Sequence, residues 1–366
     1  MTAQIIAACR SAVVPRGGAF AELSLDALGA PVLVAALAQA GLDPRQVDEV
    51  IVSNAMGGGG NPARLISLFA GLPDHVAGLS IDRQCAGGLD ALLLAKTMIE
   101  SGAADVVIAG GVESYSRRPH RLRTFADGRP PQPYEYPSFT PWPERDPAMS
   151  DAAETLATHL CICRDAQDRW AVESHAKALA SSPDQSEIIP INGQIHDPFT
   201  RRITPALAAR AKCVTGSITV ANMAVAADAA AFCVVVSPRI QRQLGCDGIA
   251  LTGGATKGAQ PELPGIAPLA AIQSALRKTG LRTSDITCAE VMEAFAVQAI
   301  ACVNGADLNT ELVNIGGGAL ARGHPIGASG TINAVRLFHE LHRAGGSGLA
   351  TIAAAGGIAT AVILQA

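Results

Sequence analysis

AALAQAGLDPRQVDEV, residues 35–50, returns as SALRKTGLRTSDITCAEV, residues 274–291. Each stretch ends a helix-periodic segment, turns at a glycine (Gly41 or Gly280) and runs into an apolar, strand-like segment. Self-similarity of this kind points to a duplicated supersecondary unit. The two glycines lie 239 positions apart, and the same offset carries Cys85 onto His324. Both residues stand between a strand-like run and a Gly-rich helix start, so a duplicated pair of α/β domains would present them from equivalent turns, facing each other across a pseudo-twofold axis.

Outward from the repeat, apolar runs alternate with helical periodicity. DEVIVSNA from Asp48, VAGLSID from Val76, ADVVIAGG from Ala104, ELVNIGG from Glu311, and GLATIAAAGG followed by ATAVILQA at the end read as strands. The stretches from Ser24, Gly87 and Ala328 read as helices with glycine stops. The alternation predicts an α/β protein with largely parallel, buried strands. Between about Ser116 and Pro205 the pattern breaks into SRRPHRLRTFADGRPPQPYEYPSFTPWPERDP, rich in Pro, Arg and aromatics, which reads as an inserted loop region. The predicted organisation is an N-terminal domain over 1–115 and 206–237, an insertion over 116–205 and a C-terminal domain over 238–366.

The 366 residues suffice for two cores. A composition of 49% hydrophobic, 4% aromatic and 16% charged residues with 37 glycines excludes disorder. A net charge of −4 argues against a nucleic-acid or polybasic membrane partner. The most apolar stretch, Ser217 to Val236, carries Asn222 and Asp228 and suits a buried helix and strand better than a membrane span. Nine cysteines without regular spacing, behind an amino terminus that does not read as a secretory signal, predict reduced thiols in the cytoplasm. Cys161 and Cys163 have the spacing of a metal pair but no second pair, so the expectation is ordinary helix thiols and no metal.

In IDRQCAGGLDALLLA a strand delivers Cys85 to the first turn of an apolar helix, where unpaired N–H groups and the helix dipole favour a thiolate able to accept acyl groups. A buried structural cysteine is the competing reading. In VNIGGGALARGHPIGASG, six glycines from Gly316 to Gly330 leave little bulk around His324, which suits a general base beside a nucleophilic thiol. Arg117, Arg118, Arg121 and Arg123 form either a clamp for phosphate groups or a solvated basic loop.

Taken together, the Cys85 stretch, AGGVESYSR from Ala109, MEAFAVQAIAC from Met292 and above all GGGALARGHPIGASG from Gly316 resemble thiolases. The likeness runs nearly end to end and includes the helical segment from Met149. It implies a five-layered αβαβα core, a loop domain holding coenzyme A, Cys85 as reactive cysteine, His324 as its activating histidine, and a dimer or dimer of dimers. Met149 and Asn222, together with Arg117 and Arg118 of the basic stretch, are the expected coenzyme A contacts. Acyl-CoA would be substrate, with no covalently bound cofactor. Two positions depart from the family pattern: Met292 stands where thiolases carry the Asn of Asn-Glu-Ala-Phe, and Ala353 where they carry the cysteine that moves the α-proton in carbon–carbon chemistry. Ala355 stands for the glycine of that element, and Gly316 for the Asn of the Asn-Gly-Gly turn. Two readings follow: an acyltransferase loading Cys85 with impaired Claisen chemistry, or a catalytically reduced thiolase-like subunit that binds acyl-CoA or scaffolds a complex.

Overall fold

Strands in this protein bury both faces, and the side-chain period of two sorts each strand between two cores. On the last strand of the first half, Ala229, Ala231, Cys233 and Val235 point into one cluster while Ala230, Phe232, Val234 and Val236 point into another. A sheet of this kind must be covered by helices on each side. The computed structural model describes residues 2–366. Its main strands are β1 (Gln4–Ser11), β2 (Glu49–Ser53), β3 (Ala77–Ile81), β4 (Val106–Ser114), β5 (Ala227–Val236), β6 (Ile249–Gly258), β7 (Ile286–Val291), β8 (Ser347–Ala354) and β9 (Ile358–Gln365). The main helices are α1 (Leu25–Gln39), α2 (Pro62–Phe69), α3 (Gly87–Glu100), α4 (Met149–His159), α5 (Arg164–Ala180), α6 (Ala267–Thr279), α7 (Ala296–Gly305) and α8 (Ile326–Ala344).

The first half orders its strands β3-β2-β4-β5-β1 and the second β7-β8-β9-β6. The halves join where β1 pairs antiparallel with β6, Gln4 against Ala250 and Ile5 against Ile249. Helices α3 and α8 lie between the two sheets, with Leu89, Leu92, Val335 and Leu337 in the shared core. On the outer faces, α1 packs Leu28, Val32 and Leu33 against the first sheet, and α6 packs Ala271, Ile272 and Ala275 against the second. The result is a five-layered αβαβα fold. The duplication persists in detail: α3 begins at Gly87 and α8 at Ile326, again 239 positions apart, and Gly41 and Gly280 both have positive φ.

Three features differ from the sequence reading. The sheets are mixed: β2 runs parallel to β3 and β4, and β7 to β8, but β5 and β9 run antiparallel to their neighbours. The tight turn at Gly356 and Gly357 makes β8 and β9 a hairpin, which forces that direction. The stretch before β5 holds no helix: the short strand Ile218–Thr219 pairs with Cys213–Thr215, and loop follows. ELVNIGG forms no strand beyond a single bridge from Val313 to Ala289. There Asn314, at positive φ, replaces a strand neighbour with its side chain, accepting from the Val291 N–H at 2.8 Å and donating to the Val291 carbonyl at 2.9 Å. The junction strands β1 and β6 were not among the runs read as strands. Arg10 in β1, and glycines, threonines and a lysine in β6, interrupt the apolar pattern.

The inner helices cross in near backbone contact. A Cβ at Gly88 would lie 2.6 Å from the Thr331 nitrogen, and one at Gly330 2.7 Å from the Leu89 nitrogen. Neither obstacle is a flexible side chain, so the helices themselves would have to separate. Gly88→Val is therefore expected to destabilise by about 3 kcal/mol or more, read as a lowered denaturant midpoint with unchanged slope. A midpoint equal to that of the unmodified protein would refute this packing.

Candidate active site

Cys85 is placed by a strained turn between β3 and α3. Asp82 accepts from the Gln84 N–H at 2.8 Å and from the Gln84 amide at 2.9 Å, and Gln84 takes φ 48°. A non-glycine residue there is uncommon and is held by its surroundings. The Cys85 N–H and the Ala355 N–H both reach the sulfur and favour its anion, but burial and the nearby carboxylates of Glu113 and Asp82 dominate and push the thiol up to about 12.

His324 arrives from the other half. Its N–H donates to the Val225 carbonyl at 2.7 Å, and a single bridge pairs it with Ala226. Its Nε2 stands 3.2 Å from the Cys85 sulfur, while Nδ1 is 2.7 Å from the Ser329 hydroxyl, on the first turn of α8. Burial pulls the imidazole down to about 4. The pair is thus neutral near pH 7. With Nδ1–H donated to Ser329, Nε2 is a free acceptor aimed at the thiol.

Two buried carboxylates brace the segments that carry this pair, and neither carries a role in the sequence reading. Glu113, at the end of β4, accepts from the N–H groups of Gly327, Ala55 and Met56 and from the Asn54 amide, at 2.8–3.1 Å. It clamps the start of α8 to the loop after β2, and burial pushes it up to about 7. Glu293 accepts from Trp170, Ser174, Asn314 and the Leu320 N–H at 2.7–3.1 Å, tying α5 to the turn ahead of His324. The available signal was a lone carboxylate inside or just after an apolar strand, which is retained only where donors surround it. Ser329 carried a weaker signal, a hydroxyl one helical turn beyond the histidine.

Met292 is buried, its N–H donated to the Thr351 carbonyl. Ala353 is half-buried near the end of β8, opposite Ala359. The four residues expected at coenzyme A have these surroundings. Asn222 is fully buried, its amide spent on Asp168 and on the backbone of Ser217 and Thr219. Arg118 pairs with Glu135 at 2.6 Å and lies over the Tyr115 ring, and the exposed Arg117 donates to the Glu22 carbonyl. Met149 opens α4, half-buried. No hydrogen bond among the described residues joins any of the four to Cys85 or His324. Cys161 and Cys163 are exposed free thiols in the link between α4 and α5 rather than within a helix. No group of three or more His, Cys, Asp or Glu among the described residues could hold a metal ion, and no described helix is long and apolar enough to cross a membrane.

Comparison with known proteins agrees with this geometry. The family model for the thiolase N-terminal domain matches residues 3–239, and that for the thiolase C-terminal domain matches residues 247–366. The chain is 34% identical, over 99% of its length and 98% of the relative's, to a candidate acetyl-CoA C-acetyltransferase, VraB, of Staphylococcus aureus. It is 35% identical to the corresponding protein of Staphylococcus epidermidis, over 99% and 97% of the two chains. The crystal structure of the Bacillus anthracis acetyl-CoA acetyltransferase superposes with a TM-score of 0.90 at 32% identity, covering 100% of this chain and 98% of that one. Two α/β halves that meet at a cysteine and a histidine, matched by family models along almost the whole chain, make this protein a member of the thiolase family.

Proposed function

We propose that this protein is an acyl-CoA acyltransferase working through an S-acyl intermediate on Cys85. The observation that carries the reading is the 3.2 Å contact between the Cys85 thiol and a neutral His324 whose far nitrogen is held by Ser329. As the sulfur attacks the thioester carbonyl, the thiol proton passes to Nε2. The N–H groups of Cys85 and Ala355 receive the oxyanion. The carbon–sulfur bond to coenzyme A then breaks, His324 returns the proton to the departing thiolate, and free coenzyme A leaves with the acyl group on Cys85. The acetyl-CoA chemistry in the names of the relatives makes acetyl-CoA the first donor to try.

The second half-reaction passes the acyl group to coenzyme A or another acceptor. We read Met292 and Ala353 as replacements that weaken Claisen chemistry, since enolate formation needs a base at the α-carbon and donors for its oxygen. The same two residues favour the alternative, a subunit that binds acyl-CoA without turnover. Intact mass after mixing with acetyl-CoA separates them: the enzyme gains one acetyl group on Cys85, and the subunit gains none.

The neutral pair sets the pH dependence. The His324 base form is present above about 4 and lost as pH falls through that value, while the thiol, at about 12, gains no thiolate in the neutral range. Acylation by acetyl-CoA is expected to be flat between about pH 6 and 9 and to fall toward pH 4. A rate rising tenfold per unit near neutrality would instead indicate attack by a thiolate formed beforehand.

We also propose a homodimer, with residues 116–205 as the insertion over the site. β3 is the open edge of the first sheet, and Leu79 on it and Leu65, Leu68 and Phe69 on α2 are exposed. An unpaired apolar edge is a surface that proteins cover. Phe69→Asp combined with Leu79→Asp is expected to convert a dimer into a monomer in sedimentation at micromolar concentration. A stable monomer in the unmodified protein refutes the dimer. Nine unpaired cysteines support a reducing, cytoplasmic setting.

A further inference from the structure

A cavity of about 460 Å³ opens between the end of α5, the segment 183–200 and the turn carrying Gly316 and Arg322. Neither Cys85 nor His324 lines it. Its floor holds three guanidinium groups, Arg10, Arg322 and Arg336, with exposures of 1%, 4% and 1%. Two of them are held by close carboxylates, although the Arg336 Nε has no hydrogen-bond partner and lies 4.0 Å from Glu290. Arg10 donates to Glu187 at 2.8 Å and forks onto Asp197 at 2.8 and 3.0 Å, and Arg336 pairs with Glu187 and Glu340.

Arg322 is different. It donates once, to the Gly317 carbonyl, and its nearest carboxylate, Glu290, is 3.8 Å away. Its remaining N–H groups have no acceptor among the described residues. Glu290 is a weak counter-charge, since burial pushes it up to about 7. Burial, with Arg336 and Arg10 nearby, lowers the Arg322 pKa. A buried cation without a full partner is costly, and an anion entering from the cavity would remove that cost. The acidic groups of the wall are already spent: Asp197 accepts from Arg10 and the Val13 N–H, and Asp184 accepts from Ser186.

The mouth is mixed, with an apolar side beside the exposed Asp184, Gln185 and His196. Leu179 and Ile195 are exposed there, with Ile188 and Pro190 beside them. The volume matches that of small-molecule sites and far exceeds what a bare inorganic anion would fill. We propose that this cavity is a second ligand site, binding a short aliphatic carboxylate with its head on Arg322 and its tail against Leu179, Ile188 and Ile195. Guanidinium and carboxylate match as a two-point fork. Arg322 ends the short helix Ala319–Arg322, two residues before His324, so occupancy bears on the turn that positions the imidazole.

The test is calorimetric titration with hexanoate, with inorganic phosphate and hexanol as comparisons. Hexanoate is expected to bind once per chain, equally in the Cys85→Ala protein and in the presence of saturating coenzyme A, and at least about tenfold more tightly than either comparison. Arg322→Gln and, on the exposed rim, Ile195→Asp should each weaken it at least about tenfold. The rim variant decides the matter if the buried one does not fold. The site is refuted by a hexanoate dissociation constant above about 10 mM, by displacement with coenzyme A, by phosphate or hexanol binding as tightly, or by unchanged affinity in Ile195→Asp.

Discussion

Cys85→Ala is expected to lose acyl transfer by about 10⁶-fold, to the level left by binding and the backbone donors alone. No group in the described site can stand in for the sulfur, because His324 already faces it and the Cys85 and Ala355 N–H groups point at the same place. His324→Ala should cost nearly as much, and the double variant scarcely more, since nucleophile and base act as one unit. The measurement is coenzyme A release from acetyl-CoA in a single turnover, followed on the same samples by intact mass. A substantial burst of coenzyme A from Cys85→Ala would mean that another nucleophile takes the acyl group and that the proposed mechanism is wrong. Ser329→Ala is a finer probe of the same geometry. It leaves nucleophile and base in place but frees the imidazole to rotate, so its effect should lie between those of the unmodified protein and His324→Ala.

Ala353→Cys is expected to raise acetyl-CoA self-condensation by about 10²-fold or more while changing acylation of Cys85 by less than about threefold. The asymmetry follows from which step needs which group. Loading Cys85 uses a thiol, an imidazole and two backbone donors, all present. Forming the new carbon–carbon bond adds a proton transfer at the α-carbon, for which an alanine has nothing to offer. Ala353 lies two residues from Ala355, whose N–H reaches the Cys85 sulfur, so a thiol introduced there enters the same site. Met292→Asn should add to the gain non-additively, because both side chains act on one enolate. In buried surroundings its amide helps only if it finds partners, and otherwise costs stability. Should the unmodified protein already condense acetyl-CoA at about 1 to 10³ per second, some other group moves that proton and the inference from Ala353 fails.

Much of the architecture was legible before any coordinates. Helix periodicity and glycine stops marked α1, α3 and α8, and an offset of 239 residues related two halves that the fold then placed around paired inner helices. Strand direction was less accessible. β5 and β9 look like any buried strand in sequence, and their antiparallel pairing follows from how the chain returns to the sheet. β6 escaped notice because a strand at the junction of two halves carries glycine and threonine where a central strand carries valine.

At the site the division is sharper. Cys85 and His324 stood out because local glycine density and the repeat are properties of short stretches. Glu113, Glu293 and Ser329 did not, because a carboxylate or hydroxyl acquires a role only from donors brought in over long separations, such as the 214 residues between Glu113 and Gly327. By itself the sequence determined where the chain turns, which faces are apolar, that one unit occurs twice, and which cysteine and histidine the repeat makes equivalent. Those depend on neighbours within a few residues and on a simple count along the chain. Only the tertiary structure decided the burial that pushes the Cys85 thiol up and the His324 imidazole down, the spending of Asn222 and Arg118 on internal partners, and the under-partnered Arg322. Each of these rests on burial and on electrostatic partners that no local stretch contains.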